Sequence, residues 1–139
     1  MEIRQFDPPD TVDVVALWEA CGLTRPWNDP RADIARKQKE QPELFLVALL
    51  DGHVVGVVMG GYDGHRGSIS YLAVAPDRQG QGVGRALVER IEEMLSQRGC
   101  PKINLQVRID NDQVNGFYEA LGYEPFQVTD FGKRLIPDG

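Results

Sequence analysis

An α/β sheet with helices on both faces is the fold class that this sequence predicts, and three observations carry it. Strand-like and helix-like periodicities alternate along the 139 residues in the order β-α-α-β-β-β-α-β-α-β-β. Segments 45–49 and 54–59 are apolar at successive positions, the pattern of strands covered on both sides. The strand that ends before Pro76 is followed by a long helix and another strand, a crossover that makes those two strands parallel beside antiparallel hairpins, so the sheet is mixed. A chain of this length buries roughly two-thirds of its unfolded surface, and residues 1–139 are expected to form one domain.

Each element has local cause. "EIRQF" alternates and opens as a strand. "DPPDTVDVVALWEACG" then carries Asp7 ahead of a proline-tolerant first turn, Val14, Leu17, Trp18 and Cys21 on one face, and Gly22 as a stop. After "LTRPWN", Asp29 is placed to cap a second helix that begins at Pro30 and is polar nearly all round, hence on the surface. "ELFLVALLDGHVVGVVMGGYD" is two strands joined by Asp51-Gly52, a strong hairpin signal, and a second hairpin passes through "DGHRG" into "SISYLAVAP". From Gly82 to Arg98 the residues Val83, Ala86, Leu87, Ile91, Met94 and Leu95 form a helical stripe, with Gly99 and Pro101 as stops. "KINLQV" alternates as a strand, "NDQVNGFYEALG" is a short helix capped near Asn111 or Asp112, and "YEPFQV" and "FGKRLI" read as two closing strands.

Composition narrows the function classes. A net charge of −6 with pI near 4.9 argues against a nucleic-acid partner, which requires a clustered basic surface. No apolar run approaches the roughly 20 residues of a membrane helix, and "MEIRQFDPPD" has neither a basic nor an apolar leader region, so no membrane partner and a cytoplasmic location are expected. Cys21 and Cys100 are too few and too far apart for a metal motif or a disulfide framework.

The most informative stretch is "PDRQGQGVGRALVERI", with Gly80, Gly82 and Gly84 at alternate positions just before a helix. Glycines there let backbone N–H groups converge, and the helix adds its unpaired N–H groups and positive dipole end, which together favour an anion. A tight strand-to-helix turn with no ligand is the plainer alternative. A P-loop needs Lys-Ser/Thr after its last glycine, whereas Gly84 is followed by Arg85 and Ala86. A dinucleotide fingerprint needs Gly-x-Gly-x-x-Gly early in the chain, and the spacing here is Gly-x-Gly-x-Gly and late.

"LAVAPDRQGQGVGRALVERIE" resembles the acetyl-CoA loop of the GCN5-related N-acetyltransferases (GNAT), whose pattern Arg/Gln-x-x-Gly-x-Gly/Ala is matched by Gln79, Gly82 and Gly84 with Arg78 and Arg85 flanking. "NDQVNGFYEALGY" resembles a second family segment through Asn111, Tyr118, Gly122 and Tyr123. "RPWNDP", "GGYDGHRG" and "RGCPKI" further resemble bacterial acetyltransferases of the YpeA type. The resemblance implies acetyl-CoA as cofactor and transfer of its acetyl group to a primary amine of a small molecule or protein. It implies that Gln79, Gly80, Gln81, Gly82, Val83 and Gly84 hold the pyrophosphate with Arg78 and Arg85 at the rim, and that the backbone of Leu72, Ala73 and Val74 pairs with the pantetheine arm. It further implies that Asn111 bonds the pantetheine and that the Tyr118 hydroxyl protonates the departing thiolate; an N-cap and a buried aromatic are the structural alternatives for these two.

Many family members carry Glu or Asp just before the "LAV" stretch, where this chain has Ser70 and Tyr71. Asp63 and His65 in the hairpin tip are the alternative bases, acting through water. The acceptor site is expected from Arg25, Trp27, Asn28, Tyr62 and Asp63. The missing carboxylate also motivates a competing reading, a non-catalytic acyl-CoA-binding or regulatory module on the same fold. A phosphate- or nucleotide-binding protein of another fold is the third reading. The apolar closing strands raise the prospect of a homodimer.

Overall fold

The computed structural model describes residues 1–138. Five strands lie in the order β1-β2-β3-β4-β5: β1 (Glu2–Gln5), β2 (Phe45–Leu50), β3 (His53–Tyr62), β4 (Gly67–Val74) and β5 (Ile103–Leu105). Neighbours are antiparallel up to β4, and β4 pairs with β5 in parallel. The helices are α1 (Thr11–Ala20), α2 (Pro30–Lys37), α3 (Val83–Gln97) and α4 (Asp112–Ala120). They divide between the two faces of the sheet, as the apolar runs of β2 and β3 require.

One face packs Val14, Leu17 and Trp18 of α1 and Ile34 of α2 against Phe45, Val47 and Val57. The other packs Leu87, Val88, Ile91 and Leu95 of α3 and Tyr118 of α4 against Leu46, Ala48 and Val58. Each fully buried Leu, Ile or Val of these layers contributes about 1.5–3 kcal/mol by leaving water. The side chains of the long helix pack directly on the β3 backbone because two strand positions lack a side chain. A Cβ on Gly56 would lie 2.8 Å from Val83 and 2.9 Å from Leu87, and one on Gly60 would lie 2.9 Å from Ile91.

Local signals act where they were read. Asp29 caps α2 by accepting from the N–H groups of Arg31 and Ala32. Asp51 and Gly52 both adopt left-handed φ, 50° and 77°, as a type I′ hairpin turn demands. Gly99 and Gly122 likewise close α3 and α4 with positive φ.

Differences arise where a neighbour must be supplied. Of "PRADIARKQKEQ", which carries the polar helix pattern, only Pro30–Lys37 forms α2, and β5 shrinks to three residues because it meets β4 only through Gly67, Ser68 and Ile69. Segments 123–128 and 131–136, expected as closing strands, form none among the described residues. Alternation selects a face but does not provide a partner edge, and Phe126, Val128, Phe131 and Leu135 stay exposed. The end of this stretch is instead tied down ionically, with Asp138 bonded to Arg36 of α2.

Candidate active site

Two structural events in β4 create the site. The first is a bulge: Val57 pairs with Ala73 and Met59 with Ser70, so Tyr71 and Leu72 together face Val58. Tyr71 takes the left-handed φ of 53°, rare outside glycine. Its ring therefore joins the α1 face of the core, although Ile69, two residues earlier, belongs to the α3 face. The second event is a split. Pairing with β5 ends at Ile69 and Leu105, leaving the β5-facing side of Leu72, Ala73 and Val74 without a strand partner among the described residues. Ala73 is buried, while Leu72 and Val74 are half-buried.

The glycine turn lies at the far end of that edge. Gly80 and Gly82 have φ of 79° and 84°, whereas Gly84 has no such requirement. Its role is spatial, since a Cβ there would press to 3.3 Å from the Phe117 ring and 3.4 Å from Val74. Gly82 stands at the N-cap of α3, no side chain caps the helix and no acid occupies its first turn. The first N–H groups of α3 are thus left for an external acceptor. Gln79 and Gln81 are exposed, Val83 is buried in the core, and Arg78 is half-buried. The Gln79 amide donates to the Val74 carbonyl at 3.2 Å, and Arg85 pairs with Glu89 on the exposed face of the helix.

Helix α4 supplies two further groups. Asn111 is the N-cap, its Oδ1 accepting from the Val114 N–H at 3.2 Å. Tyr118 is buried among Phe117 and Tyr123, which meet its ring edge-on, and burial pushes its hydroxyl up to about 12.

On the α1 side, an open groove of about 760 Å³ runs beside the bulge, lined among others by Asp33, Tyr62, Asp63, Arg66, Ser70 and Tyr71. Of the sequence-predicted acceptor residues, Tyr62 and Asp63 border it. Asp63 Oδ1 is engaged by the N–H groups of His65 and Arg66 at 2.7 Å each, which hold its carboxyl below the usual range. His65 is exposed outside the groove lining. Arg25 turns back onto the carbonyls of Gly22 and Thr24, and Trp27 is exposed.

Asn28 reaches further. Its Nδ2 donates to Asp33 Oδ2 at 2.6 Å and to the Tyr71 hydroxyl at 2.7 Å, and that hydroxyl donates to the same Asp33 oxygen at 2.7 Å. Asp33 and Tyr71 were missed by sequence reasoning because nothing local marks them. They lie 38 residues apart, one on a polar helix and the other at a position noted only for lacking a carboxylate.

The sheet split, the bare helix N-terminus and the adjoining groove define a class of protein that comparison makes plain. The profile of the Acetyltransferase (GNAT) family matches residues 12–123, and the chain belongs to that family. An acetyltransferase of Pectobacterium atrosepticum is 57% identical over 138 residues, 99% of this chain and 98% of its own length. A protein of Yersinia pestis named as an uncharacterized N-acetyltransferase shows the same identity and coverage. Among solved structures, Ard1 from Thermoplasma volcanium superposes with a TM-score of 0.74 at 29% identity, covering 87% of this chain and 80% of that one. The chain is accordingly an N-acetyltransferase.

Proposed function

We propose that residues 1–139 work as one domain that moves an acetyl group from acetyl-CoA to a primary amine of a small molecule or protein. The observation that carries this reading is the bare N-terminus of α3 behind a doubly left-handed glycine turn, beside an unpaired strand edge. The turn fits a diphosphate: Gly80 and Gly82 hold left-handed φ values of 79° and 84° that favour glycine, and a Cβ on either would meet no atom within 4 Å, so no protein atom crowds that side of the turn. Residues 79–84 hold the anion there, with Arg78 and Arg85 adding charge at the rim.

Past Ile69, the backbone of Leu72 to Val74 accepts an extended polyamide arm as β5 would have been accepted, and one of its N–H groups polarises the thioester carbonyl. Acetyl-CoA, when bound, supplies that thioester and a thiolate leaving group. The Asn111 Oδ1 is committed to its cap, so its Nδ2 is the group available to the arm. Tyr118 remains protonated throughout the neutral range because burial disfavours its phenolate and pushes its pKa up, and so it delivers a proton to the thiolate.

Calorimetry with coenzyme A, followed by thiol release from acetyl-CoA over a panel of primary amines, tests the reading. Saturable binding and amine-dependent thiol release are expected. Absence of coenzyme A binding would overturn it.

A further inference from the structure

An alkyl amine arrives as an ammonium without a lone pair, and the strand residues just before the open edge, Ser70 and Tyr71, include no carboxylate. We propose that Tyr71 and Asp33 form a proton relay that deprotonates the incoming primary ammonium, with Asn28 and Trp18 as positioning residues. The inference rests on the acetyl-transfer reading and adds the step which that reading leaves without a residue.

Hydrogen-bond counting gives the relay its direction. A hydroxyl has one donor and two acceptor positions. The Tyr71 donor goes to Asp33 Oδ2, and one acceptor position is taken by Asn28 Nδ2. The remaining lone pair is available to the groove that Tyr71 and Asp33 both line. The amide orientation of Asn28 is fixed independently, because Arg134 donates to its Oδ1 at 3.1 Å and so turns Nδ2 toward the pair. The phenol ring is clamped by Trp18, stacked at 4.0 Å and itself fully buried. The left-handed bulge places this hydroxyl on the groove side of the strand, one residue before the open edge assigned to the thioester.

The step balances. The ammonium gives a proton to the Tyr71 oxygen as Tyr71 gives its own to Asp33, which returns it to solvent. The freed amine forms the C–N bond and the C–S bond breaks. Tyr118 gives its proton to the thiolate and is restored by the second proton lost from the acylated nitrogen, so the products are amide, thiol and the one proton released through Asp33. The groups facing the pair set its pH dependence: Arg36, whose Nη1 lies 3.1 Å from Asp33 Oδ1, and Asp138 and Arg134 of the C-terminal stretch, which pair at 3.6 Å. Burial and the Asp33 carboxylate together keep Tyr71 neutral across the working range, so the hydroxyl relays protons rather than storing charge.

The test uses the full chain, acetyl-CoA and two small amines, n-propylamine, protonated at neutral pH, and 2,2,2-trifluoroethylamine, largely unprotonated there. Asp33→Asn and Tyr71→Phe are each expected to lower kcat for n-propylamine by about a hundredfold near neutral pH, with recovery as pH rises toward the amine's own ionisation. The rate with trifluoroethylamine should change less than about threefold, and the double variant should be no worse than either single one. Coenzyme A binding unchanged from the wild type verifies that both variants fold. Equal losses with both amines at every pH, or no loss with either, would overturn the relay while leaving acetyl transfer intact. Coenzyme A binding by a wild type that acetylates neither amine would also overturn the relay as a device for simple primary ammoniums. Failure of the wild type to bind coenzyme A overturns the reading of function instead.

Discussion

Six consecutive residues, Gln79 to Gly84, make the proposed donor end of the site, whereas the proposed acceptor end gathers Asn28, Asp33 and Tyr71 from a loop, a helix and a strand. The donor end works through backbone N–H groups and needs the absence of side chains. The acceptor end works through side chains whose orientation depends on Trp18, Phe45 and Phe6 stacked in sequence beneath them, with ring centroids 4.0, 6.4 and 4.3 Å apart. A backbone site is written in one short stretch and tolerates change elsewhere. A side-chain site inherits the sensitivity of the core that holds it.

That contrast can be broken from either side. The largest effect is expected from Trp18→Ala, which removes a fully buried indole from the aromatic stack and should cost about 3–5 kcal/mol in denaturant unfolding. Coenzyme A affinity measured well below the unfolding midpoint should be little altered, because the turn is built from its own residues. Tyr118→Phe comes next: kcat should fall about a hundredfold while calorimetric coenzyme A affinity stays within about twofold of wild type. Gly82→Ala forces a Cβ into φ of 84°, a strain of about 1–2 kcal/mol, and should weaken coenzyme A roughly tenfold with the acceptor KM unchanged.

The smallest effect sharpens the comparison at the entry to α1. Arg4 grips Asp10 through two bonds of 2.7 and 3.0 Å and, outweighing burial, which acts the other way, holds its carboxyl below the usual range. A depressed folded-state value means the contribution is complete above the ordinary carboxylate range, near about pH 4, and fades as pH falls through the folded value. Arg4 is partly exposed, so the loss should be no more than about 1 kcal/mol; Asp10→Asn should remove that part of the acid dependence in urea titrations.

The legible and illegible parts of the molecule divide along the same line. Asp29 before Pro30, Asp51-Gly52 and the stripe from Val83 to Leu95 were readable because a cap, a turn or a helical face needs only residues within a few positions of one another. The glycine turn was readable for the same reason. Asp33 passed as one charge on a polar helix, since its meaning comes from Tyr71, and Tyr71 gained its direction from a bulge that no sequence signal announced. The closing segments show the converse error. "YEPFQV" and "FGKRLI" have strand chemistry, but β5 offers only three paired residues, and no ladder forms on them among the described residues.

By itself the sequence determined the helices, the hairpins, the two-sided sheet and the glycine turn before α3, because all of these follow from short-range backbone preference and apolar periodicity. The tertiary structure alone decided which side of β4 Tyr71 faces, where β4 and β5 part, and which carboxylate meets the phenol. Those outcomes depend on register and packing between segments far apart in the chain, where displacing one residue in a strand exchanges its two faces.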